Sequence, residues 1–286
     1  MQHETVFAAH RSLLMAVAYR VLGRASDTED VVQDAWLRWS AVDIGQVDDP
    51  EGFLVRVTTR LAIDRLRSAA ARREAYVGPW LPEPILTAPD VADDVARAES
   101  VSLAVLLILE SLSPLERAVF VLHEAFGYSH NEIAEIVERS PESVRQTAVR
   151  ARQHVSRHRR RYDTDQATRR KVTESFMSAS AGGDLTALME VLAPDVRLVC
   201  DGGGLAPAPR KAIDGIELVA RALVTFAGRM PESPRVVMTE VNGGPGIVIY
   251  STETPVVVVV LHLVEGRARE IHLISNPEKL TAIGGL

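Results

Sequence analysis

LSPLERAVFVLHEAFGYSHNEIAEIVERSPESVRQTAVRARQHV, residues 112–155, is the stretch that decides the fold of the N-terminal half. Ser113–Glu116 and Ser129–Glu132 both read Ser-x-x-Glu, a pattern in which the serine hydroxyl and the glutamate carboxylate cap a helix start reciprocally. Pro114 and Pro141 follow Ser113 and Ser140, as a first helical residue follows its N-cap. The spacing predicts a helix over Leu112–Glu124, a second over Ser129–Arg139, and a third from Ser140–Pro141 to Arg160. A short turn between two capped helices is helix-turn-helix geometry, with the third helix as the reader. That helix carries Arg145, Gln146, Arg150, Arg152, Arg157, Arg159, Arg160 and Arg161, and no acid follows Glu142 within it. Uncompensated arginines repel one another on a merely solvated face, so phosphate and base contacts are expected instead. Glu142, Ser143, Arg145 and Gln146, near the helix start, are placed for base edges. His154 and His158 have a metal-ligand spacing of i, i+4, but the arginines around them repel a cation and no metal is expected.

Upstream, the chain continues as helices with charge in blocks. In Ser26–Ser40, Val31, Val32, Ala35, Trp36 and Trp39 form one apolar stripe, while Asp27, Asp30 and Asp34 form a separate acidic one. A third Ser-x-x-Glu, Ser26–Glu29, marks the expected helix start. Three carboxylates without a basic residue at i+4 fit a dock for a basic partner surface; a solvated helix start is the alternative. The next helix, from Pro50 to Arg73, has the opposite sign. Phe53, Val57 and Leu61 give its expected buried edge, and Arg56, Arg60, Arg65, Arg67, Arg72 and Arg73 suit a nucleic-acid backbone. The loop Ala41–Asp49 beside it is placed to wall a pocket for an unstacked base. Gly78–Pro89, GPWLPEPILTAP, is too rich in proline for regular helix. It divides the helical part into modules at 1–75 and 93–161, joined by a linker at 76–92.

Downstream the period changes. Gln166–Leu192 reads as two helices split near Gly182–Gly183, and Gly215–Gly228 as another. Strand-like runs follow or interleave: Val196–Cys200, Arg235–Val241, Gly246–Ser251, Pro255–Val264 and Arg267–Ser275, with turns at Asn242–Gly243–Gly244 and Glu265–Gly266. Helices followed by a curled antiparallel sheet predict an α+β domain over 165–286.

Composition bounds the rest. The chain has 286 residues, 47% hydrophobic and 24% charged, which excludes wholesale disorder. Cys200 alone excludes a disulfide framework and fits a reducing compartment. The start, MQHETVFAAHRS, lacks the basic and apolar segments of a signal peptide, and Val101–Leu109 and Val256–Val264 fall short of the roughly 20 residues of a membrane span. A cytoplasmic protein without a membrane partner is expected. The net charge of −6 argues against coating nucleic acid unaided. It hides an uneven layout: residues 1–161 hold 20 Arg, no Lys and 23 acids in separate blocks, whereas in 162–286 bases and acids are scattered.

These elements, in this order, resemble the extracytoplasmic-function sigma factors of bacterial RNA polymerase. DTEDVVQDAWLRW is similar to their region 2.2, the docking helix for the polymerase clamp, which implies polymerase contacts at Asp27, Asp30 and Asp34. FLVRVTTRLAIDRLRS resembles regions 2.3 and 2.4, which melt and read the −10 element, implying DNA contacts at Arg56, Arg60, Arg65 and Arg67. Residues 112–155 resemble region 4, which implies −35 contacts at Glu142, Ser143, Arg145, Gln146, Arg150 and Arg152. WLPEP (Trp80–Pro84), DGGG (Asp201–Gly204) and NPEKL (Asn276–Leu280) resemble signatures of the SigJ-type subgroup, which carries a SnoaL-like, NTF2-type cone-shaped C-terminal domain. That implies regulation in cis, without a separate anti-sigma factor, through Trp80, Leu81, Pro82, Asp201, Gly202, Gly203, Asn276, Pro277, Glu278 and Lys279. The subgroup's DGGGK-like segment reads DGGGL here, with Lys211 further on.

The implied partners are core RNA polymerase and promoter DNA, with a monomer when free and no cofactor. A helix-turn-helix regulator fused to a SnoaL-type isomerase, cyclase or ligand-binding domain is the alternative; a freestanding helix-turn-helix repressor leaves the first helical module and its acidic stripe unexplained. Asp195, Asp201, His262 and His272 are the acid/base candidates for such an enzyme. With a two-residue turn at Glu265–Gly266, His262 pairs with Arg269 and His272 with Val259. The two histidines then lie on opposite faces, and no catalysis is expected.

Overall fold

The computed structural model describes residues 2–73, 76–87, 103–159, 165–230 and 232–283. Arg160, Arg161, residues 88–92 of the linker and 93–102 of the second module lie outside these, as do the side chains of Arg72, Arg73, Arg157, His158 and Arg159. The chain forms two compact units, one from Met1–Glu74 with Leu106–His158, the other from Ala75–Val105 with Arg159–Leu286.

The first unit is helical: α1 (Gln2–Leu22), α2 (Ala25–Ser40), α3 (Pro50–Arg73), α4 (Leu103–Glu110), α5 (Pro114–Phe120), α6 (His130–Val137) and α7 (Pro141–Arg159). Leu14, Val17, Ala18 and Val21 of α1 are fully buried at the i, i+3, i+4, i+7 spacing of a core-facing stripe. Gly23 ends α1 in the left-handed region (φ 69°), its amide bonded to Tyr19 O. Helix α2 begins at Ala25, so Ser26 stands inside its first turn and the Ser26–Glu29 capping box does not form. The boxes at Ser113–Glu116 and Ser129–Glu132 both do. The helix expected over Leu112–Glu124 is α5 followed by a π-helical turn, Val121–Ala125. In α3 the fully buried edge is Leu54, Val55, Thr58, Thr59 and Ala62; Phe53, Val57 and Leu61 are only half-buried. The stripe is wider than a spacing of four because α1 and α2 cover one flank and α5 and α6 another.

The second unit holds α8 (Gln166–Gly182), α9 (Leu185–Val191), β1 (Leu192–Asp201), β2 (Ile213–Asp214), α10 (Ile216–Ala227), β3 (Arg235–Val241), β4 (Gly244–Ser251), β5 (Thr254–Val264) and β6 (Arg267–Ile274). The sheet order is β2-β1-β6-β5-β4-β3. It is mixed, not antiparallel throughout: β1 runs parallel to β6, because α10 and four strands intervene before the chain returns beside it. Phe176, Leu188, Val219, Leu223, Val259, Leu261, Ile271 and Leu273 close one core between the helices and one sheet face.

The β5–β6 register departs from the expected one. Glu265 and Gly266, at φ 52° and 74°, make the two-residue turn, and Val264 pairs with Arg267. A bulge then intervenes, so Leu263 pairs with Ala268 but His262 pairs with Glu270 and His272 with Val260. Arg269 is the extra residue. The shift by one brings both histidines to the same face, where His262 Nε2 lies 2.6 Å from His272 Nδ1. The expectation that they face opposite ways is wrong for that reason. Among the described residues no helix is long and apolar enough to cross a membrane.

Candidate functional site

The acidic stripe of α2 is only partly displayed. Asp27 is buried and accepts Arg65 Nε at 2.8 Å, with Arg24 Nε at 3.4 Å. Arg65 Nη2 reaches Asp30 Oδ2 at 2.6 Å. The hydrogen bond it donates to Asp27 pushes the pKa of the Arg65 guanidinium up. Arg65 therefore points into α2 and fixes its orientation, and Asp27 is withdrawn from the outer surface; the exposed remainder is Asp30, Asp34 and Leu37. Sequence spacing did not reveal this pairing, which joins positions 38 residues apart.

On α3, Arg56 lies 5.6 Å above the Phe53 ring and Arg67 pairs with Asp64 one turn back. Arg60 turns toward α6, donating to Ile136 O and Glu135 O and meeting Glu138 Oε1. The loop before α3 holds a 3-10 turn at Ile44–Gln46, capped by Asp43.

In α7, Val144, Ala148, Ala151 and Val155 are buried at helical spacing, which turns Glu142, Arg145, Gln146, Val149, Arg150 and Arg152 outward. Ser143 is half-buried, its amide donating to the Ser140 hydroxyl at 3.2 Å. Arg152 is engaged by Glu124 Oε1 at 2.5 Å. His130 stacks on His123 at 4.4 Å, and burial with the cations of that face holds its imidazole below the ordinary range. His154 bonds the Ser111 hydroxyl at 2.7 Å. Among the described residues no three His, Cys, Asp or Glu side chains group as metal ligands would.

The three apolar and glycine-rich signatures converge in the second unit. Asp201, fully buried at the end of β1, accepts Tyr76 OH at 2.5 Å on Oδ1 and Leu81 N at 2.7 Å on Oδ2. Lys279 Nζ meets the same Oδ2 at 2.7 Å, donates to Leu81 O, and sits 4.0 Å over the Trp80 ring. Asn276 Nδ2 donates to Tyr76 OH, and the Asn276 amide to Asp201 O. Gly203 adopts φ 60°, and a Cβ there would stand 2.3 Å from Asn276 Nδ2, so the close approach requires glycine. Leu81 and Pro82 are buried; Pro277 and Glu278 are exposed. Beyond Pro84 the segment pairs with the edge of β3 through a bridge between Leu86 and Val241, and Asn242 N bonds Ile85 O. The strap 76–87 is thus tied through Tyr76 and Leu81 to the end of β1 and through Ile85–Thr87 to the otherwise open edge of β3. Tyr76 escaped the sequence reading, since only its partners lie in recognisable segments.

Between the helices and the concave sheet face lies a cavity of about 330 Å³, lined by Phe176, Met177, Leu223, Phe226, Ile247 and Val257 among others. Among the described residues that line it, Ser180 is the polar side chain and none is titratable. The histidine pair belongs to the opposite sheet face, Asp195 is ion-paired with Arg269, and Asp201 is held by the strap.

The family description Sigma-70 region 2 matches residues 6–72, and Sigma-70, region 4 matches residues 102–155. The ECF RNA polymerase sigma factor SigJ of Mycobacterium tuberculosis is 36% identical over 96% of this chain and 92% of its own. The probable ECF sigma factor SigI of the same species is 33% identical over 98% and 96%. A crystal structure of the M. tuberculosis SigJ protein superimposes with a TM-score of 0.77 at 33% identity, covering 96% of this chain and 97% of that one, the C-terminal α+β domain included. With helical region 2 and region 4 modules followed by that domain, the chain belongs to the extracytoplasmic-function sigma factors, non-enzymatic initiation factors that bind core RNA polymerase and promoter DNA.

Proposed function

We propose that this sigma factor reads its promoter through the outer face of α7 and the arginines of α3, and that its C-terminal domain governs it in cis. In this reading 1–75 docks polymerase and reads the −10 element, 76–92 links, 93–161 reads the −35 element and 165–286 regulates. Asp30 and Asp34 meet the polymerase. Arg56, Arg60 and Arg67 track the −10 backbone, with Arg65 setting the position of α2 from behind. Glu142, Arg145 and Gln146 reach base edges, Ser143 starts the helix, and Arg150 and Arg152 contact phosphate. The observation that carries regulation in cis is the strap: Trp80 and Leu81, between the two DNA-reading modules in sequence, are tied to Asp201 and Lys279, and Pro82 beside them is buried. In this reading an anti-sigma protein is unnecessary and the domain performs no catalysis; the described residues that line its cavity carry no acid or base. The protein works as a monomer in the cytoplasm, where the polymerase is.

Run-off transcription with purified core polymerase tests this reading. Asp34→Arg should abolish the product, and Arg145→Ala should relax −35 discrimination while phosphate-driven binding persists. Lys279→Met should change the yield of the full chain; an unchanged yield removes the case for regulation in cis.

A further inference from the structure

Arg60 belongs to α3, yet its guanidinium closes the end of α6. Nε donates to Ile136 O at 2.8 Å and Nη2 to Glu135 O at 3.2 Å, while Nη1 lies 2.9 Å from Glu138 Oε1. The last carbonyls of a helix have no intrahelical partner and carry its negative pole, so a cation there is doubly favoured. Glu138 caps α6 in the left-handed region, at φ 54° and ψ 53°, where glycine is the usual residue. That turn leads directly into α7, so Arg60 grips the joint between the two helices of the DNA-reading motif.

Other contacts across this seam are of another kind. Arg117 donates to Arg20 O from a buried position, Arg20 lies 4.9 Å over the Phe126 ring, and the Tyr128 phenol is pushed up to about 12 by burial first and then by the Glu51 and Asp49 carboxylates. The Arg60–Glu138 pair is wetter, with side chains 34% and 72% exposed. An arginine fork fits a phosphate as well as a carboxylate, and an exposed pair costs little to exchange.

We propose that Arg60 and Glu138 form a latch between the two helical modules, closed in the free chain and opened when Arg60 transfers from the α6 terminus to the DNA backbone. The transfer step rests on the −10 role proposed above for Arg60; the latch itself does not. Closed, the latch withholds one −10 cation and holds the helix-turn-helix against α3. Open, it releases both together.

The test uses the full chain with spin labels at Gln33→Cys and Val149→Cys, both exposed positions of the helical unit. Cys200 stays unlabelled because it is buried, with its thiol pushed up to about 12. Electron–electron distances are recorded for this chain, for Glu138→Gly, for Arg60→Ala and for the double variant. Glu138→Gly removes the carboxylate at a position glycine prefers, so it keeps the cap intact. The long-distance population should rise about twofold with Glu138→Gly and about fivefold with Arg60→Ala, the scale of an exposed ion pair with added hydrogen bonds. The double variant should match Arg60→Ala alone, since both act through one guanidinium. Unchanged distances in both single variants, or additive effects, overturn the latch. A generic 20-base-pair duplex should open the unsubstituted chain; if it does not while the variants do, the latch stands and the transfer to DNA fails.

Discussion

Two of the basic–acidic pairs that join segments far apart in this chain work in opposite ways. Lys279–Asp201 is sealed, with side chains 2% and 0% exposed, and Tyr76 and Leu81 of the strap are hydrogen-bonded to it. Arg60–Glu138 is largely wet and shares its guanidinium with two helix carbonyls. Removing one partner of a sealed pair strands a charge away from water, whereas removing one partner of a wet pair returns the other to solvent. The first pair therefore fixes structure and the second is available for exchange. Arg65–Asp30, Arg67–Asp64 and Arg152–Glu124 are of the second kind, so four arginines that resemble DNA readers are lodged on acids within the helical unit.

The sharpest way to break the contrast is Asp201→Ala. It leaves the Lys279 ammonium buried beside two aromatic rings and takes the acceptor from Tyr76 and Leu81. The C-terminal unit should lose about 3–5 kcal/mol, read from urea unfolding, and residues 76–87 should become open to protease. A loss below about 1 kcal/mol would mean the pair behaves like a surface one.

Gly203→Ala tests the same hub without touching a charge. The added Cβ meets Asn276 Nδ2 at 2.3 Å and Tyr76 OH at 2.9 Å in a left-handed backbone. Overpacking of this kind should cost about 2–3 kcal/mol in the same urea assay. An unchanged midpoint would show that the DGGG loop yields, and that the hub is less rigid than its bonds imply.

How far such contrasts are legible in sequence depends on range. The caps at Ser113 and Ser129 and the buried spacing of Val144, Ala148, Ala151 and Val155 are local, and the helix-turn-helix followed from them. The three short signatures were readable as a group, but their meeting at Asp201 was not, because Tyr76, Asp201 and Asn276 are brought together only by the sheet. Asp27 and Arg65 misled for a related reason: helical spacing gives a face, not what covers it. The bulge at Arg269 shows how a single unpaired residue reverses every facing assignment beyond it.

That bulge also creates a third, smaller effect on stability. His262 is buried against His272, and burial first, then His272 and Arg169, hold its imidazole well below 6.5, with Glu270 opposing. Below 6.5 the unfolded chain takes up a proton that folded His262 refuses. Its contribution to stability is complete above that pH and is lost as pH falls, by at most about 1.4 kcal/mol per pH unit for one proton. Urea midpoints of the C-terminal unit at pH 7.5, 6.0 and 5.0 should therefore decline, and His262→Asn should flatten the decline. An equal slope in the variant would assign the acid sensitivity elsewhere.

The smallest expected change sharpens the comparison from its wet side. Glu124 Oε1 accepts both Nε and Nη2 of Arg152, a geometry as good as that at Asp201, yet both side chains are over a third exposed. If exposure, not geometry, separates the two classes, Glu124→Gln should move the unfolding midpoint of the helical unit by less than about 0.5 kcal/mol. The same substitution frees a cation on the face that carries Arg145 and Gln146, so generic duplex DNA should bind the free chain more tightly and with a steeper salt dependence. A large loss of stability with no gain in DNA binding would place Arg152 among the structural cations, beside Lys279.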